Sequence, residues 1–114
     1  MNNVSNPGPI GPAGARGPGI SVQQDMTASR AIDGTVYHNT TSGIIIATVS
    51  INLGSGTNAV VKADGSTPPT TTITQLSNSN LSTIAISFTF VVMPGAYYGI
   101  TGAGASMAKW IEYR

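Results

Sequence analysis

The sequence predicts an all-β protein: an antiparallel β-sandwich, or jelly-roll-like head, carried on a short stem of glycine triplets. Three observations predict it. From Thr35 onward apolar residues recur at every second position in short runs, the period of a strand with one buried face. Turn signals built from Gly, Pro, Asn and Asp interrupt those runs about every ten residues. No stretch sustains the 3.6-residue period of a helix.

The chain opens with Met1 to Asn6, which is short and polar and reads as a flexible anchor or as a plug for a partner. Residues 7–19 follow as the stem. Gly8, Gly11, Gly14 and Gly17 recur at every third position, and Pro9, Pro12, Ala15 and Pro18 stand directly after them. Three polyproline-II strands wind together only if every third residue lacks a side chain, because that residue faces the crowded axis. The alternative is a Pro/Gly linker that falls in frame by accident. Ordering each residue costs about 1–2 kcal/mol of backbone entropy, so a triple helix this short cannot hold itself together. The remainder, residues 20–114, must therefore supply the contacts that hold three chains, and the pattern predicts a homotrimer.

Ile20 to Val22 leaves the stem as an extended segment, and Gln23 to Ala31 reads as a helical turn or as a loop crossing between subunits. Asp33-Gly34 is a turn, Thr35 to Asn39 alternates, and Thr40 to Gly43 reads as a hairpin turn. Ile44 to Leu53 is a strand with Ile45, Ala47, Val49, Ile51 and Leu53 on one face. Ala59 to Ala63 is a shorter strand, Asp64-Gly65 is the strongest tight-turn dipeptide, and Pro68-Pro69 requires an edge or a loop. Thr70 to Leu76 is rich in β-branched residues. Leu81 to Met93 is the clearest strand: Ile84, Ile86, Phe88, Phe90 and Val92 alternate with Ala85, Ser87, Thr89 and Val91. Pro94-Gly95 turns the chain, Tyr97 to Thr101 returns, and Met107 to Arg114 closes it as a last strand.

Composition narrows the function. Of 114 residues 40 % are apolar and only 8 % charged, about a third of the usual share, so burial in an obligate oligomer is one route to solubility. A formal net charge of +1 gives no basic footprint for nucleic acid and no polybasic membrane patch. The absence of cysteine removes disulfides and thiol chemistry together. No apolar run approaches a membrane span, and the polar start lacks a signal peptide's regions. The expectation is a soluble chain made in the cytosol, with neither nucleic-acid binding nor membrane insertion. The small, neutral face of Ala85, Ser87 and Thr89 reads as a subunit contact or as solvated surface.

Catalytic side chains are few. The carboxylates are Asp25, Asp33, Asp64 and Glu112, with no pairing in sequence that argues for acid/base work, and no phosphate-binding glycine loop occurs. No enzyme and no cofactor are expected. His38, the sole histidine, reads as an exposed hairpin residue, the alternative being three copies meeting at a metal on a threefold axis. Asn39-Thr40-Thr41 and Asn80-Leu81-Ser82 fit the glycosylation acceptor pattern, which is common by chance. Aromatics with a polar handle suit sugar stacking and interfaces, so Tyr37, Tyr97, Tyr98, Trp110 and Tyr113 are the candidate ligand or intersubunit residues, with core packing as the alternative for each. The loops Thr40–Gly43, Ser66–Pro69 and Gly102–Ala105 are where a ligand is expected.

Residues 29–31 and 35–41 with 43–50, and then Val92 to Tyr98 with Lys109 to Glu112, resemble a small β-domain of bacteriophage fibre and other virion surface proteins. The resemblance spans residues 29–114 and implies a trimer displayed on a virion, with a collagen-like stem before a compact head. It assigns no binding residue. Phage tail fibres carry a long attachment region and shaft, whereas about 20 residues precede this head. That brevity suits a short head fibre or decoration protein attached to the capsid or another virion protein through its N-terminus, with weak adhesion to host or environmental glycans. A receptor-binding tail-fibre tip and a capsid cement protein without a ligand are the alternatives.

Overall fold

A computed structural model describes residues 22–114; the anchor, the stem and its four glycines lie outside the described residues. Eight strands and one 3-10 turn follow in order: β1 (Gln23–Asp25), the turn Thr27–Ser29, β2 (Tyr37–His38), β3 (Ile45–Leu53), β4 (Asn58–Asp64), β5 (Thr72–Ser77), β6 (Ile84–Val92), β7 (Tyr97–Thr101) and β8 (Ala105–Tyr113). They form two four-stranded antiparallel sheets, β1-β8-β3-β6 and β2-β7-β4-β5. The all-β expectation holds.

The pairing has a simple logic. β4 pairs with β5, β3 with β6, β2 with β7 and β1 with β8, as in one long hairpin folded over on itself. The further pairs β3–β8 and β4–β7 close each sheet. Only the β4–β5 connection stays within a sheet; every other one crosses between the two.

β3 sits inside its sheet, and its alternation sets the core. Ile45, Ala47, Val49, Ile51 and Leu53 are at most 1 % exposed and face Val61, Tyr98 and Ile100 of the other sheet within one cluster. Burying a side chain of this size stabilises the fold by about 1.5–3 kcal/mol, so this face decides which side of the strand points inward. β8 breaks the alternation. Ser50 pairs with Lys109 but Ile51 with Met107, so Ala108 is an extra residue, and this bulge lets both Met107 and Trp110 face the core. A second bulge on edge strand β5 leaves Ile73 unpaired and exposed.

Three sequence expectations are corrected. Thr40–Gly43 is not a hairpin turn: β2 belongs to one sheet and β3 to the other, and the segment crosses between them. Asn39 builds that crossing. Its buried amide donates to the carbonyls of Gly43, Val92 and Met93 at 3.0–3.1 Å, and its oxygen accepts from the Thr41 N–H and hydroxyl. Asp64-Gly65 is not a two-residue turn but opens the loop of residues 65–71, whose Ser66, Thr70 and Thr71 N–H groups donate to the Asp64 carboxylate at 2.8–2.9 Å. The helical turn read over Gln23 to Ala31 is confined to Thr27–Ser29, because the first three residues are β1, paired with β8.

Candidate functional site

The densest polar arrangement is internal. Trp110 and Glu112 lie two apart on β8, so both side chains point into the core, and Glu112 is fully buried. Its Oε2 accepts from Tyr98 OH at 2.8 Å, Trp110 Nε1 at 3.0 Å and Arg30 Nε at 3.1 Å. Its Oε1 accepts from Arg114 Nη2 at 2.6 Å and Arg30 Nη2 at 3.2 Å. The Arg30 guanidinium lies 4.4 Å from the Tyr37 ring centroid, and the Tyr37 hydroxyl accepts from the Ala31 N–H.

Burial pushes the Glu112 carboxyl upward, but the hydrogen bonds from Arg114, Arg30 and Tyr98 and the Arg30 charge outweigh it and hold the group below its ordinary range. Burial, reinforced by the Glu112 charge, pushes the Tyr98 phenol up to about 12. Both carboxylate oxygens are fully engaged and the charge is sealed in, so Glu112 has no lone pair positioned for a substrate proton. The cluster ties the segment before β2, strand β7 and the C-terminus to β8.

The other carboxylates are also committed to their own loops. Asp25 accepts from the Thr27 hydroxyl and N–H and pairs with Lys109 at 3.2 Å, which together hold it down near 2. Asp33 accepts from the Thr35 hydroxyl and N–H, and Asp64 from the loop after it, and both lie below the usual carboxylate range for that reason. Among the described residues no group of three or more His, Asp or Glu is placed to hold a metal, and no helix is long and apolar enough to cross a membrane.

The five candidate aromatics separate into three groups. Tyr37, Tyr98 and Trp110 meet in the core, with Tyr37 5.8 Å from Tyr98 and 5.9 Å from Trp110 between centroids. Tyr98 and Trp110 are completely buried, so of the two readings given for them core packing holds and the ligand or intersubunit one does not. Tyr97 lies on the outer face of the second sheet and stacks on the exposed ring of His38 at 4.1 Å and 9°. Tyr113 lies on the outer face of the first sheet, beside Ile46. Asn39 is buried with its amide fully used, which removes it as a glycosylation acceptor in the folded chain.

That outer face of the first sheet is the candidate interaction surface. Thr48 pairs with Thr89 and Ser50 with Ser87, and the hydroxyls of each pair hydrogen-bond at 3.1 and 2.8 Å. With Ala85, Asn52 and Ser106 they make a small-residue surface whose only charges are the Asp25–Lys109 pair. Toward the start of β3 it turns apolar through Ile46, Val91, Ile111 and Tyr113. Of the three loops favoured for a ligand, Ser66–Pro69 and Gly102–Ala105 border shallow surface grooves, the first with Lys62 and Gly99 and the second with Ile32 and Thr101.

Comparison with known proteins finds no matching family model, no matching curated protein and no matching solved structure.

Proposed function

We propose that this chain is a structural surface protein of a bacteriophage virion: a short trimeric head fibre or decoration protein whose jelly-roll head stands on a collagen-like stem. The observation that carries the reading is the join between two features. The last glycine triplet spans residues 17–19, and a few residues later β1 enters a sheet whose outer face is nearly free of charge and small-residued except at its apolar end. A short stem needs a head that self-associates, and small hydroxyl and methyl side chains let three sheets approach with little desolvation of charge. The fold-over pairing of the eight strands is that of a jelly roll, an architecture that recurs in capsid and lectin domains.

The function is display. Residues 1–6 attach to the capsid or another virion protein, and the heads face solvent. Weak adhesion to glycans on the host or in the environment is amplified by three heads per trimer and many trimers per particle. The carboxylates are all occupied by hydrogen bonds, which supports a non-enzymatic role. The exposed His38–Tyr97 stack favours the second reading, a receptor-binding tail-fibre tip, because a flat aromatic surface suits a sugar ring. The native mass of the full-length chain tests the premise: three times 11.6 kDa is expected, and a monomer overturns it. Antibody labelling of particles then distinguishes capsid from tail tip.

A further inference from the structure

The side of the sandwich where β6 and β5 form the free edges of their sheets is left uncovered by the described residues. Five large apolar side chains stand exposed among the described residues, and three of them, Ile73, Val91 and Met93, line one groove of about 330 Å³ there with Ala63, Pro94 and Ala96. Farther along the same side, Ile84, Ile86 and Phe88 point inward from β6 yet are only half-buried. β6 itself is a nine-residue edge strand with no charge, no proline and no bulge. Such an edge presents unpaired backbone groups beside apolar side chains and pairs with whatever chain comes near. The other edge of this sheet, β1, is three residues long and carries Asp25, so it is blunted.

We propose that a second copy of this chain covers the β5–β6 side, and that it does so through the apolar end of the outer face of its own first sheet, around Ile46, Ile111 and Tyr113. The proposal rests on the trimeric reading above. A cyclic trimer cannot join like to like; each copy needs two different surfaces, one meeting the other around the ring. The position of the stem says which two. Only Ile20 and Ser21 separate Gly19 from Val22, whose N–H and C=O pair with Arg114 at 3.0 Å, so roughly 10 Å of chain at most joins the triplets to the β1–β8 edge. Three chains gathered at Gly19 therefore bring three β1–β8 edges to the axis. β6 lies three interstrand spacings away, about 14 Å, within reach of the neighbouring copy's outer face.

The test compares native masses of the full-length wild type and I73K/M93K, both changes being at exposed positions outside the core and off the outer face of the first sheet. The expected result is a wild-type trimer and a variant that is monomeric with an unchanged circular dichroism spectrum. Wild type and variant both trimeric would overturn the β5–β6 contact while leaving the trimer standing. A wild-type dimer with a monomeric variant would keep a second copy on this side and remove the threefold arrangement. Hydrogen exchange on the wild type reads the same surface without a substitution. Alternate β6 amides face the open edge, and under the neighbouring copy they are expected to exchange more slowly than unpaired amides open to water. Fast exchange there, or slow exchange in a wild-type monomer whose own residues 1–21 fill the groove, would overturn the second copy as occupant.

Discussion

Replacing Glu112 by alanine removes the acceptor for two arginines, a tyrosine and a tryptophan at once. The side chains of Arg30 and Arg114 are 10 % and 23 % exposed, and that of Glu112 is not exposed at all. Breaking a buried ion pair from one side costs about 3–5 kcal/mol, because the remaining charge stays desolvated without its partner. Orphaned Tyr98 and Trp110 donors add to this unless the cavity admits water. A domain of this size has about 5–15 kcal/mol of total stability, and each kcal/mol lowers its melting temperature by about 4–8 °C. Glu112→Ala is therefore expected to lower the midpoint by about 12–40 °C, enough to leave a marginal domain unfolded when warm. Thermal unfolding at one fixed protein concentration measures the midpoint and urea unfolding the free-energy cost, since self-association would otherwise shift both. Adding Arg30→Met to Glu112→Leu removes the second buried charge and should recover part of the loss. A cost under about 1 kcal/mol for Glu112→Ala would refute the reasoning, because it would mean that water reaches the carboxylate.

Further outcomes follow from the same geometry. The Glu112 carboxyl is held below its ordinary value of 4.5, so its contribution is complete above that pH and is lost as pH falls through the lower folded value. Melting temperatures measured downward from pH 5 should fall more steeply in wild type than in Glu112→Gln. The Tyr98 phenol is raised to about 12, so its contribution is present below pH 10 and lost as pH rises toward 12. Ultraviolet titration should show a phenol ionising at about 12, and Tyr98→Phe should abolish that step. Asn39→Ala leaves the inward-facing carbonyls of Gly43, Val92 and Met93 without their donor and should cost about 3 kcal/mol in urea unfolding, whereas Asn80→Ala, exposed, should cost almost nothing. Gly99→Ala places a Cβ 2.7 Å from the Thr35 carbonyl oxygen and should destabilise by about 1–3 kcal/mol as the backbone shifts.

The alternation from Ile45 to Leu53 and from Ile84 to Val92 was legible because a strand's side-chain period is two and its buried face must be apolar. The occupied carboxylates were partly legible: Asp33-Gly34 and Asp64-Gly65 mark turns in which an Asp side chain bonds its own backbone. Trp110 and Glu112 share the parity that sends both inward, and that spacing was the one available signal that an acid is buried. Its partners gave none. Arg30 and Glu112 are 82 residues apart, and only the fold-over of β1 onto β8 and β2 onto β7 brings them together.

By itself, then, the sequence determined the class of secondary structure, most strand positions and the glycine period of residues 8–17, because each depends on neighbours within a few positions. The tertiary structure decided which strands pair, that Thr40–Gly43 crosses between sheets, that Tyr98 and Trp110 are interior, and that β6 is a bare edge. Those outcomes depend on which distant segments share a core or a ladder. A local pattern states that a face is apolar, and it carries no information about what lies against that face.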